Sequence, residues 1–276
     1  MTRTGGVENE GAVMGATGRT LAALLAVGAA LGLAGCGGDT SGADAPLVRP
    51  ISSTVSDRGP FAGLTGRQIL EKANAAMRAV SAFTFKEDGT SGDRGVHITS
   101  VMTDSGRCTA VMRDDSGLEV QVIGTGSAYY VKGTRSFWEG AGAPSGALKL
   151  LDGSWLRLPA GTASGAGTIG LLCDKGRFMD HMTSEVDVGT ITKRRPTTVG
   201  GAPALPLVHV KPTATSTLYV ATTGEPYLLE SVVPMAGGGR ATEQFSGFGR
   251  IPRISAPPAD RTVDPAQLGA PKDFSV

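Results

Sequence analysis

Short runs of alternating apolar and polar residues, separated by turns that contain glycine, fill most of the chain after residue 82. Because successive side chains of a β-strand point to opposite faces, this period of two predicts strands, and turns such as Asp104-Ser-Gly and Gly124-Thr-Gly predict hairpins. We therefore expect an antiparallel sheet of about ten strands. The predicted strands cover 83–85, 96–102, 108–112, 118–122, 127–132, 155–158, 186–193, 204–211, 217–222, 226–233 and 240–247.

Two segments have the period of an amphipathic helix instead. From residue 65 to about residue 80, apolar side chains share one face, and Thr65 with Gln68 has the pattern of a capping box. A second helix is predicted over 165–183, and residues 134–153 are predicted to be mainly loop. A few helices combined with many hairpin-linked strands indicate the α+β fold class.

The composition fits one folded domain with a buried core. The chain has 276 residues, 40% of them hydrophobic, and a formal net charge of +1 from 26 Lys and Arg against 25 Asp and Glu. A protein that binds nucleic acid through its phosphate groups needs a surplus of basic residues. The charge balance therefore argues against a nucleic-acid partner.

The N-terminal segment has the features of an export signal. Arg19 precedes an uncharged apolar run of 15 residues, 20–34, which is shorter than the roughly 20 residues that span a bilayer. Leu33-Ala-Gly-Cys36 resembles the bacterial lipobox, which implies cleavage after residue 35 and a lipid on the Cys36 sulfur. The alternative is a buried helix with an incidental cysteine, and Met14 is an alternative start of the same signal.

These features divide the chain into four parts. Residues 1–35 are predicted to be the signal peptide, and residues 36–63, which are polar and rich in Gly and Pro, a flexible tether that begins at the lipidated cysteine. Residues 64–256 form the predicted domain, and residues 257–276 a Pro-rich tail. The lipid anchor predicts attachment to the outer face of the cytoplasmic membrane.

The cysteine count agrees with export. Of the three cysteines, Cys36 is assigned to the lipid, which leaves Cys108 and Cys173. An even pair of cysteines in an oxidising compartment predicts a disulfide. Two buried free thiols are the alternative that the sequence leaves open.

No pattern in the chain indicates a catalytic, metal or cofactor site. A Gly-x-Gly-x-x-Gly run at 165–170 matches a dinucleotide-binding fingerprint, and Asp187 follows at a suitable distance, but no buried strand leads directly into the first glycine. The three histidines lie apart, and Asp180-His181 with Glu185 is expected to be a solvated helix face. We therefore expect no enzymatic activity, no cofactor and no bound metal.

The order of the elements resembles a known group of proteins. A lipobox, a tether, an amphipathic helix and a run of hairpins over about residues 64–256 resemble the actinobacterial lipoproteins of the LolA/LppX-like superfamily. The short phrases that carry the resemblance are Val80-Ser-Ala-Phe83, Ala128-Tyr-Tyr-Val-Lys132, Trp155-Leu-Arg-Leu158, Leu218-Tyr-Val220, Gly224-Glu-Pro226 and Phe245-Ser-Gly-Phe248.

The resemblance implies a strongly curved, incomplete antiparallel β-barrel with helices packed on its concave face and an apolar cavity between them that takes acyl chains. Because apolar side chains on one face of a sheet also fill an ordinary core, the sequence leaves open whether a cavity exists. The residues expected to face the cavity are Phe83, Phe85, Val111, Val120, Val122, Tyr130 and Trp155.

Two hypotheses about function follow. The first is a membrane-anchored lipoprotein that binds a lipid or another lipophilic ligand, for carriage or sensing at the cell envelope. The second is an envelope module that binds a protein partner and has no lipid ligand. A hydrolase would need a nucleophile with an adjacent base, and the sequence indicates neither.

Overall fold

The computed structural model describes residues 59–159, 167–184, 186–235 and 238–268. The predicted signal peptide, Cys36 and the tether up to residue 58 lie outside the described residues, as does the tail from residue 269 onward. Within the described residues, the elements are thirteen β-strands, five α-helices and two short 3-10 helices.

The strands join into one sheet. In chain order they are β1 (Ala82–Ser91), β2 (Arg94–Thr103), β3 (Arg107–Asp114), β4 (Glu119–Thr125), β5 (Ala128–Gly133), β6 (Trp155–Pro159), β7 (Thr190–Lys193), β8 (Thr197–Val199), β9 (Ala202–Val210), β10 (Thr215–Ala221), β11 (Leu228–Pro234), β12 (Arg240–Ser246) and β13 (Thr262–Val263). The order across the sheet is β13-β6-β5-β4-β3-β2-β1-β12-β11-β10-β9-β7, and β8 also pairs with β9. Neighbouring strands are antiparallel except β13 and β6, which are parallel.

The sheet does not close on itself in the described part of the chain, because β7 and β13, at its two ends, each pair on one side only. The chain thus has the predicted α+β class and a curved, unclosed antiparallel sheet. The strand count exceeds the prediction of about ten. The two unpredicted strands, β8 and β13, hold only three and two residues, which is too short for an alternating pattern to be visible in the sequence.

The helices are α1 (Gly66–Ala79), α2 (Arg135–Gly140), α3 (Ser145–Leu151), α4 (Gly167–Cys173) and α5 (Lys175–Thr183). The predicted capping box begins α1: the Thr65 hydroxyl accepts the Gln68 N–H at 3.2 Å, and the Gln68 side chain accepts the Thr65 N–H at 2.9 Å. The single helix predicted over 165–183 is two helices. Asp174 separates them, since its side chain accepts the Arg177 N–H at 3.0 Å and so caps the start of α5.

The segment 134–153, for which the sequence predicts mainly loop, forms α2 and α3. These helices have only six and seven residues, so neither is stable by its own hydrogen bonds. Their apolar side chains are buried against the sheet, with Trp138 and Leu151 among the most deeply buried residues of the chain. Tertiary packing therefore explains why this segment is helical.

Apolar side chains form three clusters between the helices and the sheet. The first lies under α2, α3 and α4, around Trp138 and Leu156. The second, which we call the aromatic cluster, comprises Phe83, Phe85, Phe178 and Phe245, whose ring centroids lie 4.8 to 6.3 Å apart in edge-to-face and tilted pairs. The third lies under α1 and includes Ile69, Leu70, Leu205, Leu207 and Val220.

The chain on both sides of the predicted domain also contributes to it. Phe61, in the segment predicted to be tether, is buried in the third cluster. After residue 256, β13 pairs with β6, and Leu268 is buried in the first cluster. Within the described residues, the folded unit therefore starts before residue 64 and continues through residue 268.

Cys108 on β3 and Cys173 at the end of α4 form the disulfide that the sequence predicts. Their Cα atoms lie 5.2 Å apart, within the usual range for a disulfide, and both residues are fully buried. The bond joins residues 65 positions apart and ties α4 to the sheet.

We expect the double variant Cys108→Ala, Cys173→Ala to lose about 4 kcal/mol in free energy of unfolding, because it no longer restricts the unfolded chain by a loop of this length. Urea unfolding followed by tryptophan fluorescence measures the change. The wild-type chain with and without a reducing agent is the control, since it separates loss of the bond from loss of the sulfur atoms. A double variant as stable as the oxidised wild type would contradict the expectation.

Candidate functional site

A cavity of about 330 Å³ lies between α1 and α5 on one side and strands β9 to β12 on the other. We call it the α1–α5 cavity. Its apolar lining includes Leu70, Met77, Met179, Leu218, Leu228 and Phe245. Its polar lining includes Asn74, His181, His209, Lys211, Ser216, Ser231 and Glu243. The volume lies at the lower end of the roughly 300–1,000 Å³ that is typical of small-molecule sites.

An irregularity in the pairing of β10 with β11 shapes the cavity floor. The register of these strands shifts between Tyr219 and Val220, so that Leu218 is opposite Ser231 while Val220 is opposite Leu228. The extra residue in β11 lets Leu228 and Ser231, three positions apart, both face the cavity. The floor therefore presents an apolar and a polar side chain next to each other.

Four buried polar side chains cross this floor from β9 to β12, and we call them the polar band: His209, Ser216, Ser231 and Glu243. His209 lies directly opposite Ser216, and Ser231 lies directly opposite Glu243. Each of the four is between 0 and 9% exposed. Polar groups buried to this degree need hydrogen-bond partners, which makes the band the polar end of an otherwise apolar cavity.

Among the described titratable groups, Glu243 has a strongly shifted pKa. The pKa of Glu243 is raised to about 7, mainly because the carboxyl is buried; the hydrogen bond from Ser231 acts in the opposite direction, and the nearby Glu87 carboxyl contributes a smaller increase. The Ser231 hydroxyl donates to Oε2 of Glu243. At neutral pH the Glu243 carboxyl is therefore present in its protonated and ionised forms in comparable amounts.

Glu87 on β1 lies directly opposite Glu243 in the sheet register. Burial raises the pKa of Glu87 as well, and the neighbouring Asp88 adds to the effect. None of the ion pairs found among the described residues involves either carboxyl. Glu87 does not line the cavity itself, so it places a second carboxyl beside Glu243 at the edge of the floor.

The other end of the polar band carries two hydrogen-bonding side chains, His209 and Ser216. Nε2 of His209 donates to the Val188 carbonyl at 2.6 Å, and the second ring nitrogen, Nδ1, forms no hydrogen bond with another described residue. The Ser216 hydroxyl lines the cavity and forms no hydrogen bond with another described residue. Both groups are available to a bound molecule.

A second concavity lies beside the disulfide, near the start of α5, and is more open to solvent. Its two basic side chains, Lys175 and Arg78, already have partners within the protein. Nζ of Lys175 donates to the Arg78 carbonyl at 2.7 Å, and the Arg78 guanidinium pairs with Asp180 at 2.8 Å. Burial lowers the pKa of Lys175. We therefore place the candidate site at the α1–α5 cavity.

None of the seven residues expected to face a cavity lines the α1–α5 cavity. Phe83 and Phe85 lie in the aromatic cluster, next to the cavity but behind Phe245. Val120 and Val122 lie in the first apolar cluster, on the other half of the sheet. These four side chains face the predicted side of the sheet, but helices and neighbouring side chains fill the space above them.

The other three residues lie on the outer face of the sheet, whereas we expected them to face a cavity. They are Val111, Tyr130 and Trp155. Val111 is paired with Thr99 and Gln121, in the row of side chains opposite to that of the buried Cys108 and Ala110. Tyr130 lies between Tyr129 and Val131, which pack in the first apolar cluster, and Trp155 alternates with the buried Leu156 and Leu158 of β6. The alternation that predicts a strand also assigns these three to its outer face.

The residues of the remaining sequence motifs form contacts within the protein, are exposed, or lie outside the described residues. Asp187, the residue at fingerprint distance, forms an ion pair with Arg67 at 2.9 Å. Asp180 pairs with Arg78, while His181 is exposed at the cavity rim. Glu185 and the first residues of the glycine run, 165–166, lie outside the described residues.

The polar band is the functional feature that the sequence analysis missed, although part of it was visible. Glu243 is in phase with the apolar Ala241 and Phe245 on a predicted strand, and His209 is in phase with Leu205 and Leu207. A polar residue at an apolar position of an alternating pattern is the signal that could have located both. Ser231 has no such signal, because the bulge in β11 changes the phase.

The described residues contain no group of three or more His, Cys, Asp or Glu side chains arranged to hold a metal ion. No described helix combines the length and the apolar composition needed to span a membrane.

The raised pKa of Glu243 makes stability depend on pH, and Glu243→Gln removes that dependence. The folded state holds this proton more tightly than the unfolded state, so its stabilising effect is complete below pH 4.5 and is lost as the pH rises to about 7. We expect the free energy of unfolding of the wild type, relative to the variant, to fall by about 3 kcal/mol between pH 4.5 and pH 7.5.

Urea unfolding at a series of pH values measures this difference. The control is Glu230→Gln, on the opposite face of β11, where the Glu230 side chain accepts a hydrogen bond from Gln244. Its pH profile should run parallel to that of the wild type. Parallel profiles for Glu243→Gln and the wild type would contradict the expectation.

No family model and no curated protein sequence matches the chain. Among solved structures, it is similar to LprF from Mycobacterium bovis, with a TM-score of 0.47 and 14% identity over 70% of this chain and 96% of that one. It is also similar to the lipoprotein LppX from Mycobacterium tuberculosis, with a TM-score of 0.41 and 11% identity over 69% of this chain and 98% of that one.

A third similar structure is the complex of MucA and MucB from Pseudomonas aeruginosa, with a TM-score of 0.32 and 16% identity over 75% of this chain and 61% of that one. Similarities at this level concern the overall shape and identify no binding site.

Proposed function

We propose that this chain is a non-catalytic binding protein of the cell envelope that holds a lipid or another lipophilic ligand in the α1–α5 cavity, for carriage or sensing. A lipid on Cys36 tethers it to the outer face of the cytoplasmic membrane. The observation that supports the proposal is the cavity itself, because a filled core would leave no space between the helices and the sheet.

The walls of the cavity suit an apolar guest. The lining is rich in methionine, with Met77, Met179 and Met182 on the two helices. Methionine side chains are flexible and polarizable, so they adapt to apolar ligands of different shape. Each methylene group that leaves water contributes about 0.8 kcal/mol, so a single acyl chain gains several kcal/mol before the cost of association is subtracted.

The proposed tether agrees with a ligand that comes from a bilayer. Cys36 is separated from the first described residue by 22 residues, 37–58. A flexible segment of about this length has a root-mean-square span of roughly 25 to 30 Å. The domain would therefore stay close to the membrane surface, where lipophilic molecules are concentrated.

The alternative is an envelope module that binds a protein partner. The observation that favours it is the end of the sheet, because β7 pairs with β9 and with no second strand among the described residues. An extended segment of another protein can add to such a strand through main-chain hydrogen bonds. This role would not need the cavity to be occupied, which separates the two candidates experimentally.

We expect Met182→Trp to reduce ligand occupancy at least tenfold, because the larger side chain at the cavity rim takes the space of the guest. The measurement is native mass spectrometry of the full-length protein purified from membranes, with bound mass compared between variants. Leu150→Trp, an equal enlargement at an exposed position of α3 outside the cavity, is the control and should keep the bound mass.

Two results would count against the ligand-binding proposal. One is a wild-type protein that carries no added mass and takes up no apolar dye, which would favour the protein-binding alternative. The other is a bound mass that Met182→Trp leaves unchanged, which would mean that the ligand binds outside the α1–α5 cavity.

We expect Cys36→Ser to release the protein from the membrane fraction, because the serine side chain cannot carry the thioether-linked lipid. Fractionation of cells and mass measurement of the N-terminal peptide test this. The variant should appear in the soluble extracytoplasmic fraction, without the mass of acyl groups. Equal membrane retention of variant and wild type would contradict anchoring through Cys36.

A further inference from the structure

The polar end of the α1–α5 cavity carries more negative charge than the protein compensates. Glu243 lines the cavity, is 8% exposed, and has Ser231 as its hydrogen-bond partner. Glu87 lies opposite it on the neighbouring strand. A buried carboxylate is stable only when a cation is paired with it, and the ion pairs of the described residues place no cation beside Glu243, so a cationic ligand would supply the partner that the ionised form lacks.

The positively charged and titratable groups of the cavity lie elsewhere. His209 and Lys211 are on or next to β9, which is three strands from β12, or about 14 Å across the sheet at 4.8 Å per strand. His181 on α5 is exposed at the rim. From α1, the polar group that lines the cavity is Asn74, which carries no charge. No ion pair joins any of these groups to Glu243 or Glu87 among the described residues.

The apolar end of the cavity adjoins this uncompensated acid. Phe245 lies two residues from Glu243 on the same face of β12, and Leu228 lines the floor beside Ser231. Met77 and Met179 cover this region from the two helices. A molecule that filled the cavity would thus meet apolar side chains along its length and a carboxyl group at one end.

We propose that the ligand of the α1–α5 cavity is a cationic amphiphile, with a protonated amine that donates to the Glu243 carboxylate and an apolar body that lies against Met77, Met179, Leu228 and Phe245. This inference rests on the proposed function. Glu87 adds a second negative charge behind the first, which favours a cationic head over a neutral hydroxyl. The Ser216 hydroxyl, diagonal to Ser231 at about 7–8 Å, offers a contact to a second polar group of the ligand.

The same charges act against other occupants. An anionic head group, such as a fatty-acid carboxylate, would be repelled at the Glu243 end. A metal ion would need more oxygen or nitrogen ligands than these two carboxyls, and the described residues hold no group of three or more suitable side chains. The carboxyl end of the cavity therefore selects for an organic cation.

The experiment compares three probes of equal chain length: dodecylamine, dodecanol and dodecanoate. Each displaces an apolar fluorescent dye from the full mature chain with Cys36→Ser, which needs no detergent, at pH 8, where the Glu243 carboxyl is mostly ionised. We expect the amine to bind at least tenfold more tightly than the alcohol, and the carboxylate to bind most weakly.

Three variants test which carboxyl group causes the expected preference for the amine. Glu243→Gln keeps the size of the side chain and should reduce amine affinity at least tenfold, to that of the alcohol, while alcohol affinity stays the same. Glu87→Gln should cause a smaller loss of amine affinity. The control Glu230→Gln, on the outer face of β11, should leave all three affinities unchanged.

The outcomes separate this inference from the proposed function. Equal displacement by all three probes, or an amine preference that persists in Glu243→Gln, would overturn the cationic ligand while leaving a lipophilic cavity in place. If the dye does not bind and none of the probes binds, the ligand-binding function itself is overturned. If Glu243→Gln loses binding of the alcohol as well, the variant has damaged the cavity, and an unchanged amine preference in Glu87→Gln then rejects the charge argument.

Discussion

The pairing of β1 with β12 is the contact on which the rest of the molecule depends. It joins strands β2 to β6 to strands β9 to β11 in one sheet, although its two members lie about 160 residues apart in the chain. Its register sets Phe85 opposite Phe245 and Glu87 opposite Glu243. The aromatic cluster and the acidic end of the cavity are consequences of the same register, because a slip of β12 by one residue would turn Phe245 and Glu243 to the other face and separate both pairs.

The cavity exists because this sheet is covered unevenly. Over β2 to β6, helices α2, α3 and α4 fill the apolar face with Trp138 and its neighbours. Over β9 to β12, α1 and α5 rest on the aromatic cluster at one end, and the polar band lies where they do not reach the sheet. The rings of the aromatic cluster thus separate α1 and α5 from the smaller, polar side chains of the floor. This separation leaves a space that water or a ligand can enter.

Much of the fold could be predicted from the sequence, because local patterns determine it. Alternation gave the long strands, the Thr65–Gln68 capping box gave the start of α1, and two remaining cysteines gave the disulfide. The cavity lining could not be predicted in the same way, since it depends on which helix covers which strand. Val120 and Glu243 both face the covered side of the sheet, yet only Glu243 lies where the covering helices leave room.

The contacts that hold α4 and α5 limit how far the cavity can change its volume. The disulfide at Cys173, the Ser100 hydroxyl on the Leu172 carbonyl at 2.5 Å and Lys175 on the Arg78 carbonyl all hold the junction of α4 and α5. The other end of α5 is held as well, because the Arg78 guanidinium donates to the Thr183 hydroxyl at 2.9 Å and pairs with Asp180 at 2.8 Å. Arg78 at the end of α1 therefore contacts both ends of α5, through its carbonyl at Lys175 and through its guanidinium at Asp180 and Thr183, so that the two helices form one continuous wall above the carboxyl group of Glu243.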